Sequence, residues 1–241
     1  MDIDELKKVL NDSHNIVFFG GAGVSTASNI PDFRSANGLY NEKTKSSYPP
    51  EEILSHDFFM EHTEEFYEFY RTKMIYKDAK PNDAHIALAK LEKEGRLKAV
   101  VTQNIDGLHQ MAGSRNVLEL HGTIHKNHCM KCHKFFDLDY IINSTGIPRC
   151  DKCGGLVKPD VVLYQESLDG YTLGKSVEAI SKADVLIVGG TSLTVYPAAG
   201  LITYYRGGKL VLINKTPTSY DGRANYVYYG NIADILKDAV A

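Results

Sequence analysis

Four cysteines, arranged as two pairs, constrain the fold of this chain more than any other feature of its sequence. Cys129 and Cys132 form one CxxC motif, Cys150 and Cys153 form a second, and seventeen residues separate the two motifs. Two such motifs can direct four thiolate sulfurs at one tetrahedral zinc ion, a closed ligand set that suits a structural site. The alternatives are two disulfides, which a reducing compartment disfavours, or an iron site, which is rarer. Three nearby histidines are surplus to a four-sulfur site, namely His125, His128 and His133.

The composition indicates a folded chain with a sizeable core and no general affinity for nucleic acid. Of its 241 residues, 43% are hydrophobic and 24% are charged, values typical of globular proteins. The length allows one large domain, or one domain that carries a smaller insert. A net charge of -3 provides no basic field for nucleic acid, so a basic protein segment is the more natural partner.

The sequence shows neither a secretory signal nor an apolar run long enough to cross a bilayer. Residues 1–15 are charged and amphipathic and lack the apolar core of a signal peptide. We therefore expect a cytoplasmic protein without membrane contact, and a monomer is compatible with the sequence.

Short apolar runs that end in glycine or polar residues predict a parallel β-sheet buried on both faces. Between several runs, apolar residues recur with helical spacing, as at Ala84, Leu88 and Leu91. This alternation is typical of a doubly wound, Rossmann-like α/β fold. The predicted strands are IVFFG at 16–20, KAVVTQN at 98–104, NVLEL at 116–120, ADVLIVGG at 183–190, GKLVLINK at 208–215 and NYVYYG at 225–230.

Two regions interrupt the alternation of strands and helices. Residues 41–80 contain an aromatic stretch with helical character, and residues 124–156 contain the cysteine pairs with little regular periodicity. We interpret both as inserts that pack together as a small module over one edge of the sheet. A cleft between module and sheet would then be the natural ligand site.

The segment GGAGVSTASNIPDFR at 20–34 predicts a phosphate-binding loop directly after the first strand. Its glycines allow a sharp turn, and a helix that begins there would direct free N–H groups at a pyrophosphate. The third glycine of the usual dinucleotide fingerprint is missing, so the glycines alone fit an ordinary strand-to-helix turn equally well. Phe33 and Arg34 favour the ligand site, because a guanidinium can neutralise phosphate and an aromatic ring can cover a planar group.

Polar side chains follow two predicted strands at the edge where open α/β sheets bind ligands. Gln103, Asn104 and Asp106 could hold ribose hydroxyls and a carboxamide, the polar groups of a nicotinamide riboside. A capped strand end is the alternative, but it does not explain three polar groups around an apolar residue. His121 ends the next strand, and imidazole titrates near neutral pH, so His121 is the candidate general base.

Nearly the whole chain resembles the bacterial-type sirtuins, which are NAD-dependent protein lysine deacylases. Each matching segment is short, but their joint order and spacing are highly specific. The segments are GAGVS at 21–25, IPDFR at 30–34, TQNIDGLH at 102–109, HG at 121–122, the two CxxC motifs, PDVVLYQE at 159–166, GTSLTVYPAA at 190–199 and IN at 213–214.

The resemblance implies a Rossmann-like NAD-binding domain and a smaller domain, with NAD and an acylated lysine of a protein meeting between them. Residues 1–40, 81–123 and 157–241 would form the larger domain. The helical insert at 41–80 and the zinc-binding module at 124–156 would form the smaller one.

The resemblance also assigns roles to the NAD-binding residues. Ala22, Thr26 and Arg34 would bind the phosphates beside Gly21, and Phe33 would cover the reactive ribose carbon. The other implied contacts are Ile105 and Asp106 for nicotinamide, Gln103 and Asn104 for its ribose and a bound water, and Thr191, Ser192 and Asn214 for the adenosine half.

In the reaction that the resemblance implies, the acyl oxygen attacks the ribose carbon as nicotinamide leaves, and NAD is consumed. His121 would then act as general base on a ribose hydroxyl, with Asn104 holding the water, and the products would be O-acyl-ADP-ribose and free lysine. Zinc stays outside this chemistry because four thiolates leave no open position. The alternatives to a deacylase are a protein ADP-ribosyltransferase on the same scaffold and a non-catalytic NAD-binding zinc module.

The segment PDVVLYQE would accept the substrate peptide as an added strand, with Val162 and Tyr164 against the acyl-lysine. Gln165 departs from the family, which commonly has glycine there, so its side chain could narrow the channel or add a contact. A side chain is also awkward if the backbone there needs a positive φ. Gly20 and Asn29 are milder departures.

Relatives that remove succinyl or malonyl groups carry a Tyr-x-x-Arg pair in the helical insert. Here the arginine, Arg71, falls one residue late relative to Tyr67, which on a helix rotates it by about 100°. We therefore predict a preference for acetyl or uncharged longer acyl groups.

Overall fold

Six parallel strands form the main sheet of the protein, in a computed structural model that describes residues 3–35, 38–41 and 47–241. Part of the predicted helical insert, residues 42–46, lies outside the described residues. All six predicted strands are confirmed, and their spatial order is third, second, first, fourth, fifth, sixth. The strands are β1 (Ile16–Gly20), β2 (Leu97–Thr102), β3 (Val117–Glu119), β7 (Val185–Gly189), β8 (Leu210–Asn214) and β9 (Tyr226–Tyr229), paired as β3-β2-β1-β7-β8-β9.

This order reverses direction between β1 and β7, which creates a crevice at the carboxyl ends of the two strands. Rossmann-like sheets bind nucleotides at this reversal. Gly20 at the end of β1 lies beside Thr102 of β2 and Gly189 of β7. The loops that follow these three strands therefore leave the sheet at one place.

Helices cover both faces of the sheet because its strands are apolar on both sides. All five residues of β1 are buried, as are all those of β7 and β8. One face packs against α1 (Ile3–Asn11), α5 (Asp83–Lys93) and α9 (Ile232–Ala239). The other face packs against α8 (Gly170–Lys182) and a 3-10 helix at Ala198–Tyr204. A short helix, α6 (Leu108–Met111), follows the polar loop after β2.

A second, three-stranded antiparallel sheet is built from the cysteine-containing segment and the strand after it. Its order is β5-β4-β6, with β4 at Gly122–Cys129, β5 at Phe135–Phe136 and β6 at Val157–Val161. Helix α7 (Leu138–Asn143) packs beside it. Because β6 pairs with β4, residues 157–161 lie in this small sheet, whereas the resemblance implies that they belong to the larger domain. The domain boundaries stay a prediction.

The helical insert packs on the small sheet through a shared aromatic core. Its helices are α2 (Pro50–Ile53), α3 (His56–Glu61) and α4 (Thr63–Phe69), followed by a π-helical turn at Tyr70–Met74. Their side chains share one hydrophobic cluster with Ile124, Val157 and Val161 of the sheet. The prediction that the two inserts pack together is therefore confirmed. The fully buried aromatic residues of this core are Phe59, Phe66, Tyr67 and Tyr70.

The four cysteines lie together and unbridged at one end of the small sheet. All four Sγ atoms lie within 4.8 Å of one another, with Cys129 and Cys153 at 3.4 Å and Cys132 and Cys150 at 3.6 Å. A tetrahedral zinc with bonds of about 2.3 Å separates its sulfurs by about 3.8 Å, so the cluster fits a structural zinc and not two disulfides.

None of the helices in the described part of the chain is long and apolar enough to cross a membrane.

Replacing Cys129 by serine should abolish zinc binding and lower the free energy of unfolding by about 4 kcal/mol, because metal binding stabilises only the folded chain. His128→Gln is the matched control, since His128 pairs with Asp160 and not with the cluster. Elemental analysis should find one zinc per chain in the control and none in Cys129→Ser. A stable Cys129→Ser protein that retains its zinc would contradict the structural role.

Candidate active site

A single cavity of about 640 Å³ opens between the crevice of the main sheet and the small module. All sixteen residues that the sequence assigned to NAD, catalysis or substrate line this cavity, although they come from six separate segments. They are Gly21, Ala22, Thr26, Phe33, Arg34, Gln103, Asn104, Ile105, Asp106, His121, Val162, Tyr164, Gln165, Thr191, Ser192 and Asn214.

The loop after β1 does not continue as the predicted helix. It forms two single 3-10 turns, Ala22–Val24 and Thr26–Ser28, and Asn29 ends the second in the left-handed conformation with φ 62°. The Gly23 N–H donates to the Gly190 carbonyl at 2.8 Å, so the loop is held by a neighbouring strand end. A Cβ on Gly23 would overlap the Gly190 backbone, which explains the glycine. Asn29 tolerates its conformation, as expected for asparagine.

Phe33 and Arg34 are held together by an aromatic residue that the sequence analysis missed, Tyr40. The Phe33 and Tyr40 rings meet edge to face at 5.4 Å, and the Arg34 guanidinium lies 5.3 Å from the Tyr40 ring centre. A guanidinium stacked on a ring keeps its N–H edge available for phosphate. Asp32 stabilises the turn by accepting the Arg34 N–H at 3.1 Å.

Ser25, a second residue that was missed, connects the polar side chains after β2. Its hydroxyl donates to the Asp106 carboxylate at 2.6 Å and accepts from the Asn104 side-chain amide at 3.0 Å. The other Asp106 oxygen accepts the Leu108 N–H at 2.9 Å. Ser25 lies in the GAGVS motif, but its partners are about 80 residues away, so no local sequence pattern signals the contact.

His121 is oriented as a neutral base. Its Nδ1 lies 3.0 Å from the Gln103 carbonyl oxygen, and a carbonyl can only accept, so Nδ1 carries the proton and Nε2 keeps a lone pair. Burial lowers the pKa of His121, and the hydrogen bond to Gln103 offsets only part of this effect. The neutral form therefore persists below the usual pKa of a histidine.

Two buried histidines support the loop that carries Asp106. The His85 and His109 rings meet at 4.7 Å, and His85 Nδ1 accepts the Asn82 N–H at the start of α5. Burial lowers the pKa of His85 to about 4 and that of His109 to about 3, so both rings are neutral and pack as core residues.

The loop after β7 and the end of β8 form another wall of the cavity. Asn214 clamps this loop, because its side-chain oxygen accepts the Thr191 N–H at 3.0 Å and its amide donates to the Thr191 carbonyl at 2.8 Å. The Thr191 hydroxyl accepts from the Gln103 side chain at 3.1 Å, which joins this loop to the polar segment after β2. The Ser192 hydroxyl bonds Thr194 at 2.8 Å.

Gln165 adopts the positive φ, 75°, that glycine would allow without strain. Its side chain bonds the start of α3: its oxygen accepts the Asp57 N–H and its amide donates to the Asp57 carboxylate, both at 2.9 Å. The preceding residue, Tyr164, pairs with the same region, with its N–H donating to Leu54 and its carbonyl accepting from His56. These bonds offset the strained backbone and fix the strand to the helical insert.

Tyr67 and Arg71 are both committed to the interior of the small module. The Tyr67 hydroxyl donates to the Val157 carbonyl, and the Arg71 guanidinium donates to the Ile141 and Gly146 carbonyls at 2.9 and 2.7 Å. Neither Tyr67 nor Arg71 is among the described residues that line the cavity.

Comparison with known proteins finds similarity along the entire chain. The sequence model of the Sir2 family matches residues 21–197. A Clostridium acetobutylicum protein named NAD-dependent protein deacetylase is 66% identical, over 99% of this chain and 98% of its own. A Staphylococcus aureus protein of the same name is 44% identical, over 98% and 97%.

Solved structures agree with the sequence comparisons. A Sir2 structure with deacetylated p53 peptide and 3′-O-acetyl ADP ribose has a TM-score of 0.91 at 40% identity, covering 99% of this chain and 97% of that one. A Sir2 structure bound to acetylated peptide has a TM-score of 0.86 at 39% identity, covering 98% and 96%. The resemblance that the motifs indicated is confirmed, and this chain belongs to the Sir2 family.

Proposed function

We propose that this chain is an NAD-dependent protein lysine deacylase whose main activity is deacetylation. The observation that carries the proposal is the single cavity, which brings together the glycine loop after β1, the polar segment after β2, a neutral histidine and the segment after β6. The names of relatives at 44% to 66% identity support the same activity.

The residues of the cavity fit NAD, which supplies an electrophilic ribose carbon when nicotinamide departs. Arg34 and the loop around Ala22 bind the pyrophosphate, with Phe33 beside the reacting carbon. Asp106, held in place by Ser25, accepts a hydrogen bond from the carboxamide. The contacts proposed for the remaining groups are Gly21 and Thr26 at the phosphates, Ile105 at nicotinamide, Gln103 and Asn104 at its ribose and a water, and Thr191, Ser192 and Asn214 at the adenosine half.

His121 removes a proton from a ribose hydroxyl through Nε2, since Nδ1 is occupied by the Gln103 carbonyl. The deprotonated hydroxyl oxygen attacks the acyl carbon, the lysine nitrogen leaves as the free amine, and one water adds to the acyl carbon, so that the product is O-acyl-ADP-ribose. The substrate peptide lies along residues 162–165, the segment that follows β6 and contains Val162 and Tyr164, and backbone hydrogen bonds hold it with little regard to sequence.

The division of the chain completes the proposal. Residues 1–40, 81–123 and 157–241 form the NAD-binding domain, and residues 41–80 and 124–156 form the small domain. A cytoplasmic location is supported by four unbridged cysteines, which suit a reducing compartment.

Incubation with an acetyl-lysine peptide and NAD should yield nicotinamide, deacetylated peptide and O-acetyl-ADP-ribose, detected by mass spectrometry. His121→Ala should lower turnover by about 10² to 10⁴, the usual contribution of a general base, with ADP-ribose affinity nearly unchanged. ADP-ribose linked to the peptide would indicate a transferase instead, and no nicotinamide release would indicate a binding module. A fully active His121→Ala enzyme would refute the role of this residue.

The pH profile of kcat/KM should report the neutral state of His121. Because burial lowers its pKa, the base stays unprotonated as the pH falls, and activity should be lost only below about pH 6.5. Circular dichroism at each pH would confirm that the protein remains folded. An acid limb centred above pH 7 would contradict this assignment.

Acetyl-lysine peptides should be turned over at least about tenfold faster than succinyl-lysine peptides, because burying a carboxylate among apolar side chains is costly. The cavity presents Leu54, Ile124 and Leu163, whereas Arg71 is bonded elsewhere. Measured kcat/KM values for the two peptides test this preference. Arg71→Gln should leave the ratio unchanged, and equal rates for the two acyl groups would contradict the prediction.

A further inference from the structure

Two tyrosine hydroxyl groups meet at the cavity wall and join segments that lie far apart in the sequence. Tyr40 and Tyr164 both line the cavity, and their hydroxyl oxygens are 2.9 Å apart. The two residues are separated by 124 positions. The contact therefore joins the segment after the phosphate loop to the segment after β6 that is proposed to hold the peptide.

On the NAD side, Tyr40 contacts Phe33 and Arg34, two of the residues proposed to bind NAD. Its N–H donates to the Phe33 carbonyl at 2.9 Å, and its ring contacts both the Phe33 ring and the Arg34 guanidinium. A shift of Tyr40 must therefore move Phe33 and Arg34 or break these contacts. Burial raises the pKa of Tyr40, and so does the hydrogen bond to Tyr164, so the hydroxyl stays protonated and able to bond.

On the peptide side, Tyr164 is fixed at its backbone. Its N–H donates to the Leu54 carbonyl at 2.9 Å, its carbonyl accepts the His56 N–H at 3.0 Å, and the next residue, Gln165, holds Asp57. Tyr164 keeps 38% of its surface exposed, so its side chain remains accessible to a ligand in the cavity. A peptide beside this strand would cover the ring and exclude water from the hydroxyl pair.

We propose that Tyr40 is a positioning residue which, through its hydrogen bond to Tyr164, makes NAD and the acyl-lysine peptide bind cooperatively. This inference rests on the proposed function, because it takes the two ligands from there. A hydrogen bond shielded from water is stronger, so a bound peptide stabilises the Tyr40 position that holds Phe33 and Arg34 against NAD. By linkage, NAD increases the affinity for peptide by the same factor.

Calorimetry with ADP-ribose, which carries the phosphates but cannot react, measures this coupling. Saturating acetyl-lysine peptide should tighten ADP-ribose binding to the unmodified protein about fivefold, the equivalent of one hydrogen bond. In Tyr40→Phe the factor should fall below about twofold. Tyr164→Phe should give the same loss, and the double variant should lose no more than either single variant, since all three remove one bond.

Tyr140→Phe is the matched control, because the Tyr140 hydroxyl bonds the Arg149 carbonyl at 2.6 Å and does not line the cavity. It should retain the full coupling factor. Absence of coupling in the unmodified protein, or full coupling in Tyr40→Phe, would overturn the inference. So would an equal loss of ADP-ribose affinity with and without peptide, which indicates a structural role alone. Failure of the proposed function is separate, since it appears as absence of nicotinamide release.

Discussion

The parallel pairing of β1 with β2 and β7 is the interaction on which the rest of the structure depends. Backbone hydrogen bonds set Gly20 beside Thr102 on one side and Gly189 on the other, so three loops begin at the same height. The phosphate loop, the polar segment after β2 and the loop clamped by Asn214 then meet without long connections. The bond from the Gly23 N–H to the Gly190 carbonyl closes the arrangement at the point where the strand order reverses.

The small module covers this crevice, and one hydrogen bond fixes the wall of the cavity near the candidate base. The His121 carbonyl accepts the Val162 N–H at 2.9 Å, which fastens the segment proposed to hold the peptide to the residues that follow β3. Gly122 allows this approach, because its φ is +74° and a Cβ there would overlap the Asp160 carbonyl. The four cysteines and the aromatic core around Phe59 stabilise the small module. They do not line the cavity, so they act as scaffold.

Much of the fold and the site could be predicted because the informative signals are local. Buried strands appear as short apolar runs, and Gln103, Asn104 and His121 stand directly at strand ends. The missed features arise from contacts between distant segments. Ser25 matters through Asp106 and Tyr40 through Tyr164, and no local pattern encodes these pairs. The expected helix after β1 does not form, because the loop makes only two single 3-10 turns and the Gly23 N–H bonds the Gly190 carbonyl of a distant segment.

The central claim is that one cavity presents both ligands to a neutral His121, and a ternary crystal structure would test it most directly. Crystals with an acetyl-lysine peptide and a non-hydrolysable NAD analogue would show both ligands at the site. We expect His121 Nε2 to lie within hydrogen-bond distance, about 3 Å, of a nicotinamide-ribose hydroxyl, and the acyl oxygen to face the adjacent ribose carbon. A ribose turned away from His121, or a peptide bound outside the strand at Val162, would contradict it.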